Sequence, residues 1–172
     1  ERLMNSYPFE LSGGMQQRIM IAIAISSNPD LLIADEPTSN LDVTIQAQIL
    51  DLIKKCREET KASVLFITHD FGIVTEMCDR VGVMYAGNMA EIAPLRELLT
   101  NPLHPYTKAL LLSIPTPGKK GKKLHVISGM VPDLLKPPTG CRFHPRCPHT
   151  MDICKTKPPS IVKVGKDHLV SC

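Results

Sequence analysis

The distribution of apolar residues predicts alternating helices and strands over the first half of the chain. The mainly apolar segment from Met15 to Ser26 predicts a nearly all-buried helix that begins after two glycines. Short apolar runs at Leu31–Ala34 and Ser63–Thr68 predict buried strands, the second rich in β-branched and aromatic residues. Between them, Val43–Thr60 carries an apolar stripe at helical spacing, with polar residues facing away. This order predicts an α/β fold with right-handed crossovers and a parallel sheet.

The pattern changes beyond the second strand. Asp70–Met77 predicts a short helix, and Arg80–Tyr85 and Asn88–Ile92 alternate around Ala86-Gly87 as a β-hairpin does. Another short helix is predicted at Pro94–Leu99. Proline is frequent from there onward, so we expect a loop-rich extension built of short elements.

Size and charge limit the classes of function. A chain of 172 residues has room for one ordinary domain or slightly more. The net charge of +3 is mild and does not indicate nucleic-acid binding. The longest apolar run, Ile19 to Ile25, is far shorter than the ~18 residues of a membrane span, and no signal-peptide pattern is present. We interpret Lys119–Lys123 as a solvated loop, with phosphate or membrane-surface binding as the weaker alternative. Any membrane role is therefore expected to come through partners.

Two adjacent carboxylates, Asp35 and Glu36, end the first predicted strand. Taken alone, such a pair is most often a solvated strand end. Here Leu11–Arg18 reads Leu-Ser-Gly-Gly-Met-Gln-Gln-Arg upstream, and Phe66–Asp70 reads Phe-Ile-Thr-His-Asp at the end of the next strand. In order and spacing, the three stretches resemble the ABC-transporter ATPase, with its signature motif, its Walker B strand and D-loop, and its switch histidine.

The resemblance implies a role for each motif. The signature residues would reach across a dimer interface to the γ-phosphate of ATP held by the partner subunit; they are Ser12, Gly13, Gly14 and Gln17. A glycine-led helix start suits this role because its uncovered N–H groups and its dipole favour a phosphate. Asp35 would order Mg²⁺, Glu36 would be the general base for the attacking water, Asp42 of the D-loop would contact the opposing ATP site, and His69 would sense the γ-phosphate and orient Glu36. Carboxylate oxygens suit a hard cation, and phosphoryl transfer needs a positioned water and neutralised charge.

A phosphate-cradling loop of the form Gly-x-x-x-x-Gly-Lys-[Ser/Thr] does not occur in the sequence. We therefore expect this loop and the Q-loop to lie upstream of Glu1, and the chain to be the C-terminal part of the ATPase. The chain alone is expected to bind ATP weakly and not to hydrolyse it, since the missing loop supplies most phosphate contacts.

Four of the six cysteines crowd the C-terminal tail, at Cys141, Cys147, Cys154 and Cys172. The other two, Cys56 and Cys78, lie at helical positions among apolar residues, which predicts core packing. Nothing points to secretion, so metal binding is favoured over disulfides for the tail. The tail has neither the Cys-x₂₋₄-Cys pair typical of zinc nor the tight cysteine run of bacterial ferredoxins. Spacing alone leaves zinc, an iron–sulfur cluster, and free or disulfide-bonded cysteines open.

The second half narrows the resemblance to the oligopeptide/dipeptide importer subfamily. The segment Asn101–Thr107 bears proline, histidine and tyrosine, and the tail contains Cys-Arg-Phe-x-x-Arg-Cys-Pro and a final His-x-x-x-Cys. In that subfamily the tail is associated with a [4Fe-4S] cluster, so the resemblance implies that the four cysteines hold one, with Zn²⁺ as the alternative. We interpret the histidines of this half as packing or capping residues rather than ligands; they are His104, His125, His144, His149 and His168.

The fold class expected is the C-terminal part of a P-loop NTPase parallel sheet, residues 1–99, followed by a small loop-rich metal-binding extension, residues 100–172. The resemblance implies an ATP-hydrolysing subunit for peptide import, peripheral on the cytoplasmic face of the cell membrane. Its implied partners are a second ATPase subunit, two transmembrane permeases and a solute-binding protein, without nucleic acid. Oligosaccharide or nickel transport, or a non-catalytic metal-binding regulatory module on an ATPase-like scaffold, are the alternatives.

Overall fold

A computed structural model describes residues 5–115 and 126–172. The chain divides into two compact units, an N-terminal unit, Glu1–Met77, and a C-terminal unit, Cys78–Cys172. The predicted lysine loop at 119–123 and His125 lie outside the described residues. The domain boundary predicted from the motifs lies between residues 99 and 100. It stays a prediction, because compact units defined by packing do not test where a family domain ends.

The helices and strands of the described residues follow in this order: α1 Gly13–Ile25, β1 Leu31–Asp35, α2 Val43–Thr60, β2 Ser63–Ile67, α3 Phe71–Met77, β3 Arg80–Tyr85, β4 Asn88–Pro94, α4 Leu95–Thr100, α5 Pro105–Ser113, α6 Asp152–Thr156, β5 Val162–Gly165 and β6 His168–Val170. Short 3₁₀ turns occur at Pro8–Glu10 and His144–Arg146. None of these helices combines the length and the apolar character that crossing a bilayer requires.

The N-terminal unit contains the predicted parallel strand pair. β1 and β2 run side by side from Leu31 opposite Ser63 to Asp35 opposite Ile67. Helices α1 and α2 pack together over one face of this pair, because α2 presents the predicted apolar stripe. The centre of this core is formed by Ile21, Ile49, Ile53 and Cys56. The mixed α/β fold with a parallel sheet and the core position of Cys56 are therefore confirmed.

The expected burial of α1 and of both strands is wrong for the described residues. In α1, Met20 and Ile23 are 61% and 68% exposed, because only the face toward α2 is covered. In β1 the burial alternates, with Leu32 and Ala34 buried and Ile33 60% exposed. An uninterrupted apolar run indicates that both faces of a helix or strand are suited to burial. In the described residues only one face of each element is covered by other parts of the chain.

The C-terminal unit is built on an antiparallel sheet of four strands in the order β3-β4-β6-β5. The predicted hairpin β3–β4 is confirmed, and both residues of its turn, Ala86 and Gly87, have positive φ. Two successive positive φ values give the turn type whose twist matches the strands it joins. The other edge of β4 pairs with the C-terminal strand β6.

Short elements make up the rest of the C-terminal unit, as the prolines predict. His104 precedes α5, and its Nδ1 accepts the backbone N–H of Tyr106 at 3.0 Å, so its predicted capping role is confirmed. Strands β5 and β6 were not predicted, because runs of four and three residues are too short to show a period.

Candidate functional site

The ends of β1 and β2 bring Glu36 and His69 together. Because the two strands are parallel and in register at Asp35 and Ile67, the residues that follow them leave the sheet at the same edge. The backbone N–H of Glu36 donates to the Ile67 carbonyl at 2.9 Å, which extends the strand pairing by one step. Glu36 then turns away with φ of 45°, a left-handed conformation that is uncommon outside glycine.

Both carboxylate oxygens of Glu36 are held by side chains. His69 Nδ1 lies 2.7 Å from Oε1, and the Ser39 hydroxyl donates to Oε2 at 2.9 Å. The bond with His69, and then the bond with Ser39, keep the pKa of the Glu36 carboxyl below its ordinary value. In turn, the hydrogen bond with the Glu36 carboxylate raises the pKa of His69. The result is an ionised carboxylate with a fixed orientation at an open strand edge. The sequence did not single out Ser39 for this contact.

The other predicted carboxylates lie on either side of this pair. Asp35 is the last residue of β1 and is exposed. Asp42 precedes α2, and its Oδ1 accepts the N–H of Ile45 at 2.9 Å, as a helix N-cap does. An exposed carboxylate at the strand end can take a hydrated divalent cation, because hard cations prefer oxygen ligands.

The signature residues form the start of α1. Ser12 is the N-cap, with Oγ accepting the Met15 N–H at 3.4 Å, which leaves its hydroxyl hydrogen free to donate to a ligand. A β-carbon on Gly14 would lie 2.7 Å from Cγ2 of Ile45, so this glycine is required by the close packing of α1 on α2. Gln17 is half-buried one turn into the helix. The helix start therefore combines bare N–H groups with a hydroxyl donor.

The four tail cysteines line one cavity of about 340 Å³. Phe143, Met151 and Ile153 supply apolar walls. Burial, and then the other tail thiols, raise the pKa of Cys147 and of Cys172. The four cysteines are free thiols. Within residues 5–115 and 126–172, no three metal-binding side chains are grouped closely enough to hold a single ion.

Two arginines attach the cysteine-bearing loop to the β3–β4 hairpin. Arg142 donates to the Ala86 carbonyl in the hairpin turn. Arg146 donates to the Tyr85 hydroxyl at 3.3 Å and to the carbonyls of Ile127 and Ser128 at 2.8 and 2.9 Å. These contacts hold the segment around Cys141 and Cys147 without requiring a large apolar core.

A buried pair of hydrogen-bonded side chains joins β4 to β6. Glu91 and His168 are 1% and 3% exposed, and His168 Nε2 lies 2.7 Å from Glu91 Oε1. Glu91 also accepts the backbone N–H groups of Leu103 and His104 at 2.8 and 3.0 Å. Sequence reasoning missed this network; the one signal was a carboxylate in the middle of a predicted strand.

Comparison with known proteins gives matches along the chain. A family model for the ABC transporter matches residues 1–39, and one for the oligopeptide/dipeptide transporter C-terminal region matches residues 90–154. The oligopeptide transport ATP-binding protein AppD of Bacillus subtilis (strain 168) is 53% identical over 172 residues, which cover 100% of this chain and 52% of AppD. The dipeptide transport ATP-binding protein DppD of the same strain is 51% identical over 172 residues, 100% of this chain and 51% of DppD.

Among solved structures, a metal-chelate type ABC transporter in an inward-facing conformation matches with a TM-score of 0.53 and 31% identity, over 62% of this chain and 41% of that one. This chain spans about half the length of the curated relatives that it matches.

Proposed function

This chain belongs to the family of ATP-binding subunits of oligopeptide and dipeptide ABC transporters, and we propose that it is the C-terminal part of a subunit that hydrolyses ATP to power peptide import. The observation that carries the proposal is the Glu36–His69 contact of 2.7 Å at the end of two parallel strands. It joins the two motifs on which the chemistry of such an ATPase depends.

Glu36 is proposed as the general base that orients the attacking water. Its carboxylate is ionised and is held at both oxygens, so one of its lone pairs can face a water without reorientation. Asp35, at the adjacent strand end, is proposed to order Mg²⁺, which would neutralise charge on the phosphates. His69 is proposed to sense the γ-phosphate, because its ring is exposed beside the carboxylate that it orients.

The start of α1 is proposed to act on ATP held by a partner subunit. The free hydroxyl hydrogen of Ser12, the N–H groups at Gly13 and Gly14, and the helix dipole together suit a phosphate. Gln17 and Asp42 are proposed to contribute from the same dimer interface. A second ATPase subunit is therefore an expected partner.

We propose that the four tail cysteines hold a [4Fe-4S] cluster. The four thiols line one cavity of about 340 Å³, and thiolate sulfur is a ligand of iron–sulfur clusters as well as of zinc. When bound, a cluster would supply a structural link between the thiolates, since hydrolysis of ATP transfers no electrons. Zn²⁺ bound after rearrangement of the thiols is the alternative.

The remaining partners are proposed from the family. They are two transmembrane permeases and a solute-binding protein, with this subunit at the cytoplasmic face of the membrane. The names of the relatives favour oligopeptides or dipeptides as the transported substrate. Oligosaccharide and nickel remain the alternative substrates.

The test is ATP hydrolysis by the assembled transporter that contains the full-length subunit with Glu36→Gln. We expect turnover to fall about a hundredfold or more, because the group that positions water is lost. Glu59→Gln, an exposed glutamate on α2, is the matched control and should retain full turnover. Unchanged turnover in Glu36→Gln would favour the non-catalytic regulatory module.

A further inference from the structure

The turn that follows β1 brings Ser39 back to Glu36. The backbone N–H of Ser39 donates to the Glu36 carbonyl at 3.1 Å, which closes a four-residue turn with Pro37 and Thr38 at its centre. The Ser39 hydroxyl donates to Glu36 Oε2 at 2.9 Å. Glu36 and Ser39 are therefore joined twice, once through the backbone and once through their side chains.

The backbone of this turn is well fixed. Pro37 has a restricted φ and is favoured at the second position of a turn, and both Pro37 and Thr38 are buried. A second turn follows, in which the Leu41 N–H donates to the Thr38 carbonyl at 3.3 Å. One side-chain torsion places the oxygen of a serine, so a fixed backbone leaves the Ser39 oxygen only a few positions.

His69 holds the other oxygen of the same carboxylate from a more exposed position. Its Nδ1 lies 2.7 Å from Glu36 Oε1, and its side chain is 85% exposed, against 37% for Glu36. The proposed role of His69 at the γ-phosphate gives this ring a second task at the same site. The Ser39 hydroxyl has a single hydrogen, which it donates to Glu36. Ser39 is therefore the more constant contact of the carboxylate.

We propose that Ser39 is a positioning residue that holds the Glu36 carboxylate in the orientation in which it accepts a proton from the attacking water. This inference rests on the proposed role of Glu36 as general base and adds a second residue to that role. Ser39 acts by engaging Oε2, so that the lone pairs left on the carboxylate face the water. A hydrogen bond that is formed before ATP arrives requires no reorganisation during the reaction.

Two substitutions separate the hydroxyl from the shape of the turn. Ser39→Ala removes the hydroxyl, whereas Ser39→Thr keeps it and adds a methyl group at an exposed position. Ser26→Ala is the matched control, because Ser26 is also exposed and its hydroxyl donates to the Ile23 carbonyl at 2.7 Å, at the other end of α1 from the signature residues. The experiment is steady-state ATP hydrolysis by the assembled transporter that contains the full-length subunit, with kcat and KM determined separately.

We expect Ser39→Ala to lower kcat about three- to tenfold with KM for ATP close to wild type, because the carboxylate acts in the chemical step and not in binding. Ser39→Thr should restore kcat to within about twofold of wild type, and Ser26→Ala should match wild type. In the Glu36→Gln background, Ser39→Ala should change the residual kcat by less than about twofold, since the base that the hydroxyl positions is already lost.

Three results would count against this role. A wild-type kcat in Ser39→Ala, with turnover still lost in Glu36→Gln, would overturn the role of Ser39 and leave the general base in place. Equal losses in Ser39→Ala and Ser39→Thr, or the same loss from Ser39→Ala with and without Glu36→Gln, would show that the hydroxyl does not act through Glu36. Unchanged turnover in Glu36→Gln would overturn the proposed general base and this inference with it.

Discussion

Replacement of Glu91 by glutamine tests the buried network that joins β4, β6 and the segment before α5. The side chain of Glu91 is fully buried and accepts three hydrogen bonds, at 2.7 Å from His168 Nε2, 2.8 Å from Leu103 N–H and 3.0 Å from His104 N–H. Glutamine has one oxygen to accept them, and its amide nitrogen would face another N–H donor. At least one buried N–H would then lose its acceptor.

The expected cost is about 1–3 kcal/mol, the range for leaving a buried hydrogen-bonding group without its partner. The effect can be measured by native-state hydrogen exchange at the amides of Leu103 and His104 in the full-length protein. Exchange there should become faster by about one to two orders of magnitude, at ~1.4 kcal/mol for each factor of ten.

The matched control is Glu76→Gln, because Glu76 pairs with Lys54 at 2.6 Å in a solvent-exposed salt bridge. Exposed pairs contribute about 0–1 kcal/mol, so exchange at Leu103 and His104 should not change in this variant. If Glu91→Gln slowed or left unchanged the exchange of these two amides, the buried network would not hold this segment.

The difference in exchange rate between wild type and Glu91→Gln should depend on pH in a definite direction. Burial acts to raise the pKa of Glu91, but the hydrogen bonds from Leu103, His168 and His104 outweigh it, and the pKa of Glu91 lies below its ordinary value. The stabilisation is therefore present above the pKa of the unfolded chain and is lost as pH falls through the lowered pKa. The exchange difference between wild type and Glu91→Gln should narrow over that acidic range.

The remaining predictions concern the signature helix, the tail and the Glu36–His69 pair. Gly14→Ala should destabilise the protein by about 1–3 kcal/mol in urea unfolding, because its β-carbon would lie 2.7 Å from Cγ2 of Ile45 in α2. Gly13→Ala is the control and should cost less, since its β-carbon would lie 3.2 Å from the nearest side-chain atom. Gly140→Ala should increase protease cleavage of the tail, since Gly140 has φ of 67° and its β-carbon would overlap the Cys154 carbonyl oxygen; an unchanged cleavage rate would contradict the close approach. Glu36→Gln should lower the pKa of His69 in an NMR titration, because the carboxylate that raises it is removed; an unshifted titration would mean that the two side chains do not interact in solution.

The parallel strand pair and the contact of Glu36 with His69 at its end could be predicted because they depend on local signals. Apolar runs mark β1 and β2, and a parallel pair places the residues after both strands at one edge. The contact between Glu36 and His69 follows from that geometry, although they lie 33 residues apart. The hydrogen bond from Ser39 could not be predicted, since it depends on the left-handed backbone at Glu36.

The C-terminal unit shows where sequence reasoning fails. Strand β6 has three residues, which is too few to show a period, yet it forms the sheet with β4 and carries His168 to Glu91. A contact between residues 77 positions apart cannot be inferred from either neighbourhood alone. The exposure of Met20 was missed for a different reason. An apolar run indicates which side chains are suited to burial, but it does not indicate which of them another part of the chain covers.

We propose that the full-length subunit couples ATP hydrolysis at Glu36 to peptide import. The most direct measurement is uptake of a labelled oligopeptide by proteoliposomes that contain the assembled transporter and its solute-binding protein, with ATP hydrolysis recorded in the same samples. We expect Glu36→Gln to lower both uptake and hydrolysis about a hundredfold or more, while Glu59→Gln retains both. Peptide uptake at the wild-type rate in Glu36→Gln would contradict it.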